Sequence, residues 1–257
     1  RVYGAGETRF LVNGSTAGIL SAILGCTRKG DQVLVGRNCH KSVYHAIYMN
    51  ELEPVYLYPG FRPDIQLNTE ISVSAVKAAL NEHSRVKAVI LVSPTYDGVV
   101  SDIRGIAREV HKRGIPLIVD EAHGAHFRFS DYFPVSATDL GADVVIQSFH
   151  KTLPAMTQTA VLHLCSERVS EKLIRRFLGI YETSSPSYIL MSSLDACVAK
   201  LEKDSGRLFD EFTENLEAAR RQLGQRSIYV CYRHRKRLGK KRTNRAQQKY
   251  LIMTALS

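Results

Sequence analysis

The chain of 257 residues is 44% hydrophobic and 23% charged, a balance ordinary for a globular protein that can bury one large core. Its formal charge of +10 excludes little, because residues 218–257 hold 12 Lys or Arg and no Asp or Glu, leaving 23 basic against 25 acidic residues before them. No apolar run approaches the roughly 18 residues of a membrane helix, the first residues do not read as a signal peptide, and five scattered cysteines without a C-x-x-C pair point to neither a disulfide framework nor a zinc site; one large cytoplasmic domain is expected.

Residues 1–12 begin as if inside a domain, with Phe10–Val12 a short strand. Asn13-Gly-Ser-Thr-Ala-Gly18 then leads into helical periodicity over Ile19–Gly25. Strand, Gly/Ser/Thr turn and helix make an anion cradle: free backbone N–H groups and the helix dipole face the turn, and Ser15 and Thr16 add hydroxyls. An ordinary helix with Ser15 or Thr16 as N-cap fits the same residues. Gln32–Val35 is the next strand, and His40 opens an amphipathic helix through Met49, a place where a histidine commonly caps. Val55–Tyr58 reads as a strand, Pro59–Pro63 as a loop, Ser72–Ala79 as a helix and Val86–Val92 as a buried strand. The turn Pro94-Thr-Tyr-Asp-Gly98 precedes a helix over Ile103–Lys112, and the apolar run after Pro116 ends in Asp120. The run from Val144 ends in Ser148, His150 and Lys151, so a short buried strand delivers a lysine and two hydrogen-bonding side chains to one point. An antiparallel strand over Thr157–Leu164, a helix over Glu167–Leu178 and a long helix over Ile189–Leu223 follow.

Strands alternating with helices at this spacing imply right-handed crossovers and an α/β fold, a mostly parallel central sheet with helices on both faces. Ligands of such sheets sit beyond the carboxyl ends of the strands, and Ser15, His40, Asp120 and Lys151 all fall there. A lysine at a buried strand end has its ammonium destabilised by desolvation, and the neutral amine forms a Schiff base with an aldehyde. A carboxylate at the end of a neighbouring strand suits a protonated pyridine nitrogen, so the pair suggests pyridoxal phosphate. Taken singly, Lys151 also fits a side chain snorkelling into water and Asp120 fits a helix cap.

The segments V-D-E-A-H-G-A-H-F, Q-S-F-H-K-T, N-G-S-T-A-G and R-N-C-H-K-S together resemble the major domain of the ornithine/lysine/arginine decarboxylases, pyridoxal-phosphate enzymes of the aspartate aminotransferase fold. The likeness runs over residues 4–215 and is specific in combination. It implies that Ser15 and Thr16 bind the cofactor phosphate, that His40 stacks on the pyridine ring, and that His123 lies close to the cofactor. Ser148 and His150 hold the phosphate or orient Lys151, and Thr95 and Tyr96 are candidates for the substrate side. Thr183 matches a residue that reaches the phosphate of the neighbouring subunit's cofactor, which implies a homodimer with shared active sites.

The expected function is decarboxylation of lysine, arginine or ornithine through a Lys151 Schiff base, with Asp120 and His40 as the other catalytic residues. An aminotransferase or lyase on the same fold shares Lys151 and Asp120, and the alternative from another class is a catalytically inactive fragment whose basic tail binds nucleic acid. The likeness fails over residues 218–257, where the family has a smaller C-terminal domain and this chain has a basic segment with Tyr229, Tyr232 and Tyr250. Such a segment can bind RNA, but so abrupt a shift is expected of an aberrant or disordered end, and nucleic acid is not the expected partner. The major domain, residues 1–217, is expected to be incomplete at its N-terminus.

Overall fold

Short runs of Val, Ile and Leu supply the strands of a seven-stranded sheet, and amphipathic stretches between them supply the helices that cover it. The structure, a computed structural model, describes residues 2–224. In chain order the elements are β1 (Glu7–Leu11), α1 (Gly14–Cys26), β2 (Gln32–Gly36), α2 (Lys41–Met49), β3 (Glu53–Leu57), β4 (Phe61–Arg62), β5 (Leu67–Asn68), α3 (Val73–Glu82), β6 (Val86–Val92), α4 (Ile103–His111), β7 (Leu117–Asp120), β8 (Val144–Ser148), α5 (Phe149–Thr152), β9 (Ala160–Leu164), α6 (Glu171–Tyr181) and α7 (Tyr188–Gly224). The sheet order is β1-β9-β8-β7-β6-β2-β3. Neighbours from β8 to β3 are parallel, and β9 is antiparallel to both β8 and β1. The expected α/β class is what the structure shows.

Strand alternation divides the core between two faces, as the two-residue period requires. Val33, Val35, Ile90, Ile118, Val144 and Ile146 pack on one side with α1, α2 and α6. Leu34, Val89, Leu91, Leu117, Val119 and Val145 pack on the other with α3 and α4. A third cluster gathers Tyr3, Phe127, Phe133 and Phe149 against Leu194, Leu201 and Phe209 of α7. Helices therefore cover both faces.

α1 is apolar on nearly every side because it lies between the sheet and α6, and it is buried from Ala17 to Gly25. A Cβ on Gly25 would stand 2.6 Å from Ile174 Cγ1 and 3.0 Å from its Cα, so α6 itself would have to move. Gly25→Ala is therefore expected to destabilise the fold by about 2 kcal/mol in urea denaturation, overpacking outweighing the roughly 1 kcal/mol gain in helix propensity. Unchanged stability would mean that α6 is not seated on α1 as described.

Three local expectations change. The loop over Pro59–Pro63 contains β4, which pairs antiparallel with β5 in a separate two-stranded sheet. The strand expected over Thr157–Leu164 begins only at Ala160, and the helix expected from Glu167 begins at Glu171, where Ser170 accepts from Leu173 N as N-cap. α7 continues to Gly224, past Ala218 where the basic segment starts; the segment from Arg226 onward lies outside the described residues.

Candidate active site

β1 and β8 are both antiparallel to β9, so they run in the same direction and only β9 is reversed. The residues that follow β1, β2, β6, β7 and β8 therefore emerge at one edge of the sheet, the edge at which open α/β sheets bind ligands. Leu11 and Ser148 share Ala160 as register partner, which sets the ends of β1 and β8 at one level. Ser15, Thr16, His40, Asp120, His123, Ser148, His150 and Lys151 all lie on these segments.

Lys151 lies just past the end of its strand. β8 stops at Ser148, and the single helical turn α5 carries His150 and Lys151 beyond it. Lys151 Nζ is 3.0 Å from His123 Nε2. Partial burial lowers the lysine pKa, against the pull of Asp120, which raises it. Burial first, and then the Lys151 charge, push the His123 pKa down to about 4. His123 is therefore neutral, and its Nε2 lone pair accepts from the lysine. His150 faces elsewhere: its Nδ1 donates to Thr159 O at 3.0 Å, which ties α5 to the approach of β9. The hydroxyls of Ser148 and Thr152, on either side of His150 and Lys151, are buried without a partner among the described residues.

Asp120 closes β7 and is 5% exposed. It caps no helix; its Oδ1 accepts from Ala122 N at 3.0 Å. Burial pushes its pKa up to about 6, with Ala122 N–H and Lys151 pulling the other way. Lys151 is the cation that acts on it, without forming an ion pair within 4 Å among the described residues.

The next residue, Glu121, serves the frame. Its carboxylate accepts from Ser136 Oγ at 2.6 Å, Ala137 N at 2.7 Å and Gln147 Nε2 at 2.6 Å. Gln147 Oε1 meets His163 Nε2 at 3.1 Å, and His163 Nδ1 meets Thr8 Oγ1 at 2.8 Å. This chain, buried at Glu121, Gln147 and His163 and ending at the exposed Thr8, links β7 to β1 across β8 and β9.

His40 is the N-cap of α2, its Nδ1 accepting from Ser42 N at 3.3 Å. Burial, then the nearby Lys151 charge, lower its pKa. Of the Pro94–Gly98 residues, Thr95 is folded into its own turn, its Oγ1 accepting from Val99 N. Tyr96 is 71% exposed and stands edge-on to His123, ring centres 5.6 Å apart.

At the end of β1, Gly14 has φ +79, a conformation that favours glycine, and Asn13 precedes α1 without a side-chain cap. Ser15 and Thr16 are half-buried in its first turn. Sequence reading missed Glu182, whose carboxylate accepts from Val12 N at 3.1 Å and Asn13 N at 3.4 Å. No local pattern announces it, because its partners are backbone groups 170 and 169 residues away. Thr183 follows directly, exposed, its Oγ1 accepting from Ser185 N.

Comparison with known proteins gives this edge a family. The sequence model of Orn/Lys/Arg decarboxylase, major domain, matches residues 1–242. The uncharacterized protein YaaO of Bacillus subtilis is 47% identical over 76% of this chain and 41% of its own length. Arginine decarboxylase of Bacillus anthracis is 33% identical over 89% of this chain and 46% of its own, so the chain spans less than half of either relative. Lysine decarboxylase A of Pseudomonas aeruginosa superposes with a TM-score of 0.77 at 25% identity, over 88% of this chain and 33% of that one. The chain belongs to the Orn/Lys/Arg decarboxylase family and carries its major domain.

Proposed function

We propose that this chain is the cofactor-binding part of a pyridoxal-phosphate-dependent decarboxylase acting on lysine, arginine or ornithine. The observation that carries the reading is Lys151: an amine of lowered pKa, 3.0 Å from a neutral histidine, at the sheet edge that also carries the buried carboxyl of Asp120. The residues fit the cofactor in three respects. Lys151 would hold its aldehyde carbon, Asp120 would receive its ring N–H, and the uncapped first turn of α1 with Ser15 and Thr16 would receive its phosphate. The unpartnered Ser148 hydroxyl stands at the level of that turn and adds a donor. Bound there, pyridoxal phosphate supplies an electron sink for the bond at Cα that breaks as carbon dioxide leaves.

The protein's own contributions follow from position and charge. His123 accepts from Lys151 Nζ and fixes the direction of the amine; its low pKa keeps it from becoming a second cation beside the lysine. Asp120 would keep a proton on the ring nitrogen, because a buried carboxylate is strongly favoured by an N–H partner. His40, at the N-cap of α2 and near the Lys151 charge, would stack on the ring. Lys151, held on α5, would be the group placed to carry a proton at the substrate's Cα. Tyr96 lines the substrate side. Thr183 reaches the phosphate site of a second copy, so the working unit is a homodimer with sites shared across its interface.

The test is covalent. Purified chain incubated with pyridoxal phosphate and reduced with borohydride is expected to carry the label on the Lys151 peptide, and Lys151→Ala to lose it. Label distributed over other lysines would remove the cofactor site from this chain. Stoichiometric carbon dioxide from lysine, arginine or ornithine then separates a decarboxylase from an aminotransferase or lyase built on the same lysine and aspartate.

A further inference from the structure

Asn13 is the residue type that most readily caps a helix, and it stands at the N-cap of α1. Yet its side chain makes no cap hydrogen bond. Its Nδ2 donates instead to Tyr181 O at 3.0 Å, at the end of α6. The adjoining Glu182 takes up the N–H groups of Val12 and Asn13, at 3.1 Å and 3.4 Å. Three hydrogen bonds from one segment thus hold the entry to α1 in a single conformation and hold the natural capping group away from the helix. The N-cap side chain therefore leaves the first turn of α1, with Ser15 and Thr16, uncapped among the described residues.

A half-buried carboxylate beside a phosphate site is unfavourable for an anion unless its oxygens are already engaged. Both oxygens of Glu182 are engaged, by the two N–H groups that precede the turn. Burial raises its pKa, and the N–H groups of Val12 and Asn13 act against that rise, so the bonds that place the carboxylate also favour its charged form.

We propose that Glu182 and Asn13 are positioning residues for the phosphate subsite: they keep the α1 N-terminus uncapped and correctly aimed, so that a phosphate ester can take the place of the missing cap. The inference rests on the cofactor reading above and deepens it. Its signature is selectivity for the phosphorylated ligand. Pyridoxal shares the aldehyde and ring of pyridoxal phosphate but has no phosphate, so it reports Lys151 and Asp120 alone.

The experiment measures the dissociation constants of both ligands for the full chain by absorbance titration, together with the thermal midpoint. Wild type is expected to prefer the phosphate ester strongly. Glu182→Ala is expected to reduce that preference about tenfold or more while pyridoxal binding stays within about twofold, the scale on which helix-terminus hydrogen bonds act. Glu182→Gln, which keeps an acceptor oxygen, is expected to fall between. Asn13→Ser, which can cap α1 itself, is expected to fold stably and lose preference for the phosphate. Equal weakening of both ligands would reduce Glu182 to a structural role and overturn the proposal. Tighter phosphate binding in both Glu182 variants would also overturn it, by showing the carboxylate to be only a repelling charge. A wild type with no preference between the ligands would remove the phosphate subsite itself, a failure of the cofactor reading that is visible before any variant is compared.

Discussion

Replacing Asp120 with asparagine is expected to lower cofactor-dependent decarboxylation by about 10²–10³-fold, the scale for removing one preorganised electrostatic partner, while making the cofactor-free protein more stable. The two effects share a cause. The carboxyl is 5% exposed, and burial pushes its pKa up to about 6 from 3.8. A carboxylic acid whose folded pKa is raised binds more protons in the folded than in the unfolded state between those values, so stability falls as pH rises toward 6 and stays reduced above it. A shift of that size corresponds to about 3 kcal/mol at pH 8. Asparagine keeps an oxygen for Ala122 N and carries no charge, so it relieves that penalty; at pH 4, where the aspartate is largely protonated in the fold, the gain is expected to disappear. Thermal melts of both proteins without cofactor at pH 8 and pH 4, with carbon dioxide release at pH 8, check both halves. A variant less stable than wild type at pH 8 would show that the charge is already balanced by a protein partner. Undiminished turnover would show that Asp120 does not face the ring nitrogen.

Much of this edge was legible in the sequence because strand ends carry two signals at once. An apolar run that stops at a charged or hydrogen-bonding residue marks both a buried strand and its functional end, and Asp120 and the Ser148–Lys151 segment have that form. The alternation of strand and helix gave direction to the sheet, and direction placed Ser15 and His40 on the same edge. The helical turn α5 escaped notice because four residues are too few to show a period. The β4–β5 pair escaped because each strand has only two residues. Glu182 and Gln147 were invisible for a different reason. Their roles are defined by groups far along the chain, backbone N–H groups for the one and Glu121 and His163 for the other, and nothing in a local window marks them. The sequence motif treats His123 and His126 alike, three residues apart; packing gives them opposite settings, one against Lys151 and the other among phenylalanines.

That second histidine yields the other large effect: His126→Leu is expected to stabilise the fold, and more so in acid. His126 is 2% exposed, stands edge-on to Phe127 and Phe133, and stacks on Phe209 of α7. Neither ring nitrogen has a partner among the described residues. Burial alone pushes its pKa down to about 4 from 6.5. A base with a depressed folded pKa is neutral in the fold and protonated in the unfolded chain between those values, so its contribution is intact above 6.5 and is lost as pH falls toward 4. Leucine removes two unsatisfied buried nitrogens, a gain of about 1–3 kcal/mol at pH 8, and at pH 5 it removes a further linkage penalty of about 2 kcal/mol. The comparison has to be made against wild type, because other buried groups titrate in the same range. His163, pushed down to about 3, adds acid sensitivity of the same sign, whereas Glu121, pushed up to about 7, works against it by holding a proton in the fold. Denaturation in urea at both pH values isolates the His126 share as the difference between variant and wild type. A gain equal at pH 8 and pH 5 would mean that His126 is protonated alike in folded and unfolded chains. A loss at both would mean that its nitrogens hold a partner, such as a buried water, that leucine cannot replace. The α7 helix is seated on this ring through Phe209, so the same variant is expected to slow hydrogen exchange in the middle of α7 most strongly in acid, where charging His126 otherwise loosens that contact.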